Sequence, residues 1–165
     1  MEYVYNKNLS YTNNKNTKEF IRRNKNILIV DDDIKGAECL KEILEIRGHY
    51  VTIIDDAVRC ITLCETNYYD IVFMDYHMEG LDGSQVTSIL KDQKISKTII
   101  YAFTGDNSKY ALDTFKEAGM NGAIIKPIDV NILEILLNYL EEHNDLDSSQ
   151  IINITKKSNK TILFF

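Results

Sequence analysis

The sequence predicts an α/β fold, a doubly wound parallel sheet with helices on both faces. Three observations predict it. Short apolar runs alternate with amphipathic stretches five times over. Those runs are continuous rather than alternating in and out, which is how strands buried on both faces read. Carboxylates, a threonine and a lysine stand where the runs end, and in open α/β sheets ligands bind beyond the carboxyl ends of the strands.

The elements follow in order. "ILIV" (27–30) is the first buried strand. "KGAECLKEILEIRG" (35–48) places Ala37, Leu40, Ile43 and Leu44 on one helical face, and Gly48 stops it. "YVTII" (50–54) is the second strand, and 56–67 the second helix. "DIVFMD" (70–75) is the third strand, and "GSQVTSILKD" (83–92) a helix after a Gly-containing loop. "TIIYAF" (98–103) is the fourth strand, with a helix over 107–118 closed by Gly119. "GAIIK" (122–126) is the fifth strand. Pro127 restarts the chain, and "VNILEILLNYLEEH" (130–143) is the last helix. On it Leu133, Leu136, Leu137 and Leu140 suit a core face. Ile132, Ile135 and Tyr139 lie around the flank, either as part of one wide buried stripe or as a partner face.

Two segments flank this body of residues 26–145. Residues 1–25 are rich in Asn and Lys without periodicity and read as a flexible polar arm. The tail, 146–165, holds two β-prone runs around a polar turn. It could form a β-hairpin and could pair with the sheet edge, pair with another chain or remain disordered; its apolar end at Ile162–Phe165 favours docking or a dimer contact.

The totals bound the function. The chain has 165 residues and a net charge of −6. Residues 1–25 carry +4, residues 26–146 carry −12 and residues 147–165 carry +2. So acidic a body argues against direct nucleic-acid binding, which needs a basic surface. No apolar run approaches a membrane span, and the first residues lack a signal-peptide core, so a cytoplasmic protein is expected. Cys60 and Cys64 share a helix face but lack a CxxC spacing, which makes them core residues.

Asp31 and Asp32 after the first strand and Asp75 after the third are expected to converge. Three carboxylates that close cannot all stay ionised without a cation. An open site of oxygen donors suits Mg²⁺. Thr104 would add a hydroxyl and Lys126 a point charge. Metal, ammonium, hydroxyl and backbone N–H groups together cradle a phosphoryl group, and a carboxylate can be its nucleophile.

Four motifs in order, "ILIVDD", "IVFMDYHMEGLDG", "AFTG" and "AGMNGAIIKPI", resemble the receiver domains of two-component response regulators, over residues 26–143. The resemblance implies a flavodoxin-like sheet of five parallel strands in the order 2-1-3-4-5 with five helices. It implies a signalling protein rather than an enzyme acting on a separate substrate. Asp75 would be the phosphoacceptor, Asp31 and Asp32 the Mg²⁺ pair, and the His77 backbone carbonyl a further metal ligand. Thr104 would be the switch hydroxyl, Gly105 the small residue whose N–H meets the phosphoryl group, and Lys126 its cationic partner. The peptide before Pro127 is expected to be cis. His77 and Asp106 would flank the phosphoryl group and tune its hydrolysis. The donor would be a histidine kinase or a histidine phosphotransfer protein, and a homodimer through the last helices or the tail is left open.

Three features depart from the family pattern. Met78-Glu79 replaces the usual Met-Pro, Ala123 stands where an aromatic switch residue is usual, and no output domain follows the last helix. Two other readings compete. A degenerate receiver would only bind partners. A haloacid-dehalogenase-like phosphatase would use Asp31 as nucleophile and Asp33 as acid, but the chain lacks that family's second acidic pair after the lysine. Under the receiver reading, Asp33 caps the first helix.

Overall fold

The computed structural model describes residues 24–93, 98–142 and 162–164. Strand β1 (Asn26–Val30) leads to α1 (Ile34–Ile46), β2 (Tyr50–Ile54), α2 (Ala57–Thr66), β3 (Ile71–Met74) and α3 (Gly83–Asp92). Then come β4 (Ile99–Thr104), α4 (Lys109–Glu117), β5 (Gly122–Ile125), α5 (Val130–Glu142) and β6 (Ile162–Phe164). The five expected strands and five helices are all present, displaced by one or two residues at their ends. That is the margin over which caps and fraying decide a boundary.

The sheet order is β2-β1-β3-β4-β5-β6. Its first five strands are parallel, in the expected order 2-1-3-4-5. The sixth is an addition to that expectation. β6 runs antiparallel on the outer edge of β5, with Ile162 opposite Ile124, Leu163 opposite Ala123 and Phe164 opposite Gly122. The apolar end of the tail thus pairs with the sheet. The other half of the expected hairpin lies outside the described residues, as does most of the polar arm. Lys25, at that arm's end, is tied down: its N–H donates to His49 Nδ1 at 3.3 Å and its carbonyl accepts from Tyr50.

Successive side chains of a strand point to opposite faces, and the core divides accordingly. Ile27, Ile29, Ile71 and Phe73 pack with Ala37, Leu40 and Leu44 of α1 and Leu133, Leu136 and Leu137 of α5. Leu28, Val30, Val72 and Met74 pack with Cys60 of α2, Val86 and Leu90 of α3 and Phe115 of α4. Cys60 and Cys64 are buried there, as their helical spacing predicts. Each fully buried aliphatic side chain contributes about 1.5–3 kcal/mol, so these two layers outweigh any single polar contact described below. The side chains of Ile132, Ile135, Tyr139 and Leu140 lie outside the described set.

Helix starts are set by side-chain caps. Asp33, Asp56, Asp82 and Ser108 cap α1, α2, α3 and α4, each accepting from a backbone N–H of the first turn. Asp82 and Gln85 form a reciprocal capping box. Gly48 and Gly119 close α1 and α4 with φ of 91° and 89°, a region that glycine enters without steric cost.

Candidate functional site

Parallel strands put the ends of β1, β3, β4 and β5 side by side. Val30 lies opposite Met74, so Asp31 and Asp75 leave the sheet together. Met74 lies opposite Ala102, and Thr104 opposite Ile125, so Thr104 and Lys126 follow along the same edge. Backbone bonds hold these ends in place. The N–H of Asp31 donates to Ile54, that of Asp75 to Val30, and that of Lys126 to Thr104, all at 2.8–3.0 Å.

The side chains converge as the sequence predicts. One carboxylate oxygen each of Asp31, Asp32 and Asp75 lies within 4.8 Å of the others. Lys126 Nζ is 2.7 Å from Asp31 Oδ2 and 3.5 Å from Asp75 Oδ1. Asp31 is wholly buried and Asp75 nearly so, whereas Asp32 faces solvent. Asp31 Oδ1 also accepts the N–H of Asp33 at 2.9 Å. Burial pushes the Asp75 carboxyl up to about 6 from 3.8; the Lys126 charge opposes this, and the Asp31 charge adds to it. The donor set is therefore all oxygen, partly open, and strained by its own charge. Those are the properties that a hard divalent cation such as Mg²⁺ relieves, so these residues fit that ion.

Thr104 is buried, and its Oγ1 accepts the N–H of Asp106 at 3.1 Å. Gly105 is exposed, and a β-carbon there would meet nothing within 4 Å. Protein atoms leave the space beside it open. His77 exposes its side chain, with Nε2 3.9 Å from Asp106 Oδ2 on the rim of the site. The Lys126–Pro127 peptide is cis, as expected. Asp33 caps α1 through the Gly36 N–H at 3.3 Å and stands outside the carboxylate cluster. Ala123 is buried between Ala102 on β4 and Leu163 on β6.

Two contributors escaped the sequence reading. Phe103 puts its ring centroid 4.6 Å from Lys126 Nζ, a cation–π contact that supports the lysine beside the acids. Nothing local signals it, because it depends on the pairing of β4 with β5. Gly83 presses on the backbone of Asp75: a β-carbon there would lie 2.2 Å from the Asp75 carbonyl oxygen. The Asp82-Gly83 pair, a cap followed by the smallest residue, was the available signal.

The family model described as the response regulator receiver domain matches residues 27–138. The chain belongs to this family. As a receiver it is a signalling domain, like those of hybrid sensor kinases and response regulators in phosphorelays. It is 31% identical over 140 residues to the transcription factor SKN7 of Saccharomyces cerevisiae, covering 84% of this chain and 22% of that protein. It is 30% identical over 114 residues to the CAI-1 autoinducer sensor kinase/phosphatase CqsS of Vibrio cholerae, covering 68% and 17%. The receiver thus spans about a fifth of the length of such relatives. Among solved structures, the Francisella response regulator 1452 receiver domain superposes with a TM-score of 0.67 at 28% identity, covering 74% of this chain and all of that one. The receiver domain of the Pseudomonas aeruginosa sensor histidine kinase PA1611, solved with a magnesium ion in its active-site cleft, shares the fold. It has a TM-score of 0.65 at 24% identity, covering 73% and 100%. No helix among the described residues is long and apolar enough to cross a membrane.

Proposed function

We propose that this receiver takes a phosphoryl group onto Asp75 from a phosphohistidine of a histidine kinase or histidine phosphotransfer protein. The observation that carries the reading is the Asp75 carboxylate itself. It is nearly buried, beside Asp31 and Lys126 Nζ, at the strand edge where this fold places ligands. An Asp75 carboxylate oxygen attacks phosphorus. The O–P bond forms as the P–N bond breaks, and the donor imidazole keeps the electron pair and takes up a proton.

Asp31, Asp32, Asp75 and the His77 carbonyl would hold Mg²⁺. When bound, the ion supplies positive charge to the carboxylates and to the transferred oxygens. Lys126 turns its ammonium from Asp31 toward the phosphoryl oxygens. The Thr104 hydroxyl and the Gly105 N–H donate to them. His77 and Asp106, on the rim, limit the approach of water and so set the lifetime of the acyl phosphate. The receiver then shifts between two populations that partners distinguish. The acidic body gives no role to nucleic acid in this reading.

The test is intact mass after incubation with acetyl phosphate and Mg²⁺. One phosphate adduct is expected, lost in Asp75→Asn and kept in Asp33→Asn, because Asn still caps α1. Turnover of phosphomonoesters that needs Asp31 but not Asp75 would sink the reading in favour of a phosphatase. No adduct from acetyl phosphate or from a phosphohistidine donor would leave a binding module only.

A further inference from the structure

At the end of the sheet opposite Asp75, where the parallel strands begin, α2 leaves part of the sheet face uncovered. Leu28, Val30 and Ile54 lie in the core with Cys60 of that helix. Asn26, Tyr50 and Thr52 are on the same faces of β1 and β2 but line a cavity of about 360 Å³ with Tyr68. A second cavity of about 290 Å³ shares Asn67, Tyr68 and Tyr69 with the first and reaches Glu65 and Thr66. The two form one groove around the turn after α2. Its outer walls are aromatic, with Tyr50 64% and Tyr68 59% exposed.

The groove suits a cation. No lysine or arginine lines either cavity. The carboxyl end of α2 carries the negative end of the helix dipole, and its last turn holds Glu65 and no basic residue. Asp70 stands beside Tyr68: burial, the Asp70 charge and a hydrogen bond to Asp70 push the Tyr68 phenol up. Guanidinium groups stack on such rings and pair with such carboxylates.

The chain itself brings that cation to the rim. Asp70 Oδ2 accepts the N–H of Asn26 at 2.7 Å, and Arg22 and Arg23 stand four and three residues before Asn26. Four residues span at most about 14 Å, so both guanidinium groups can reach the groove. Lys25 fixes where the segment leaves the fold, its N–H donating to His49 Nδ1 and its carbonyl accepting from the Tyr50 N–H. The charges are complementary, +4 over residues 1–25 against −12 over residues 26–146. We infer that residues 18–23 dock in this groove, with Arg22 and Arg23 against the Tyr50 and Tyr68 rings and beside Glu65 and Asp70. Phe20 and Ile21, in the same segment, add apolar area that tyrosine rings accept. Docking holds a basic segment on the acidic body and withholds it from other acidic surfaces. The inference does not depend on the role of Asp75.

The test is limited trypsin digestion of the full chain, read by intact mass. Cleavage after Arg22 reports the docked segment, and cleavage after Lys7 is the internal control. In the double variant Tyr50→Ser, Tyr68→Ser, cleavage after Arg22 should quicken about tenfold over the parent, with cleavage after Lys7 unchanged. Both tyrosines are exposed, so the fold should survive, and matching circular dichroism checks that it does. In the parent, nuclear Overhauser contacts should join the Arg22 or Arg23 side chain to the Tyr50 or Tyr68 ring. Equal cleavage after Arg22 in parent and variant, or protection without those contacts, overturns the docking. Protection that fades on dilution also overturns it, and assigns the groove to a second copy of the chain.

Discussion

At Asp75 the protein holds a carboxyl group whose pKa lies near 6 when folded and 3.8 when not, because burial disfavours its charge more than Lys126 favours it. Between those values the folded chain binds more protons than the unfolded chain. Stability therefore falls as pH rises through that window, and the loss is complete above it. Without metal, Asp75→Asn should be the more stable protein at pH 8, by about 1–3 kcal/mol. The gain should shrink toward zero below pH 4. Urea midpoints in the presence of a chelator check this. Equal midpoints at both pH values would mean that Asp75 carries no electrostatic strain. The residue's identity was legible from its place after an apolar run. Its raised pKa was not, since burial beside Asp31 and Lys126 depends on three strands at once.

At the level of elements, α3 shows how a helix start shapes the site. Asp82 caps it, and Gly83 then lies against the carbonyl of Asp75. Gly83→Ala puts a β-carbon where that oxygen sits, so either the helix or the loop after β3 must shift. The expected cost is about 1–3 kcal/mol in chemical denaturation, with slower formation of the phosphate adduct. Gly105→Ala is the contrast. A β-carbon there meets open space, so its effect on stability should stay within about 0.5 kcal/mol. The helices and strands themselves were legible because their apolar periods differ, 3.6 against continuous runs. The cap at Asp33 was also readable, whereas Asp56 was read as the first residue of α2 and caps it instead. What the local pattern did not carry was Gly83's neighbour, a residue eight positions earlier brought back by the loop.

For the whole molecule, the site exists only where the ends of β1, β3 and β5 meet, so occupying it should stabilise the fold. With Mg²⁺ at ten times its dissociation constant, unfolding should cost about 1.4 kcal/mol more than in chelator, seen as a rise in the thermal midpoint. Asp31→Asn should lose most of that rise, since it removes a wholly buried member of the cluster. A rise of equal size in the variant would place the ion elsewhere on the acidic surface. By itself the sequence determined the fold class, the parallel order through its resemblance, and the candidate set Asp31, Asp32, Asp75, Thr104 and Lys126. Each of these is written as a residue type at the end of a run, and a strand end is a local property. Only the tertiary structure decided that Lys126 rests on Phe103 and Asp31, that Gly83 abuts Asp75, and that Ile162–Phe164 closes the β5 edge. Those are contacts between segments distant in the chain or folded back on it, and which groups meet is settled by packing and sheet register rather than by any neighbour in sequence.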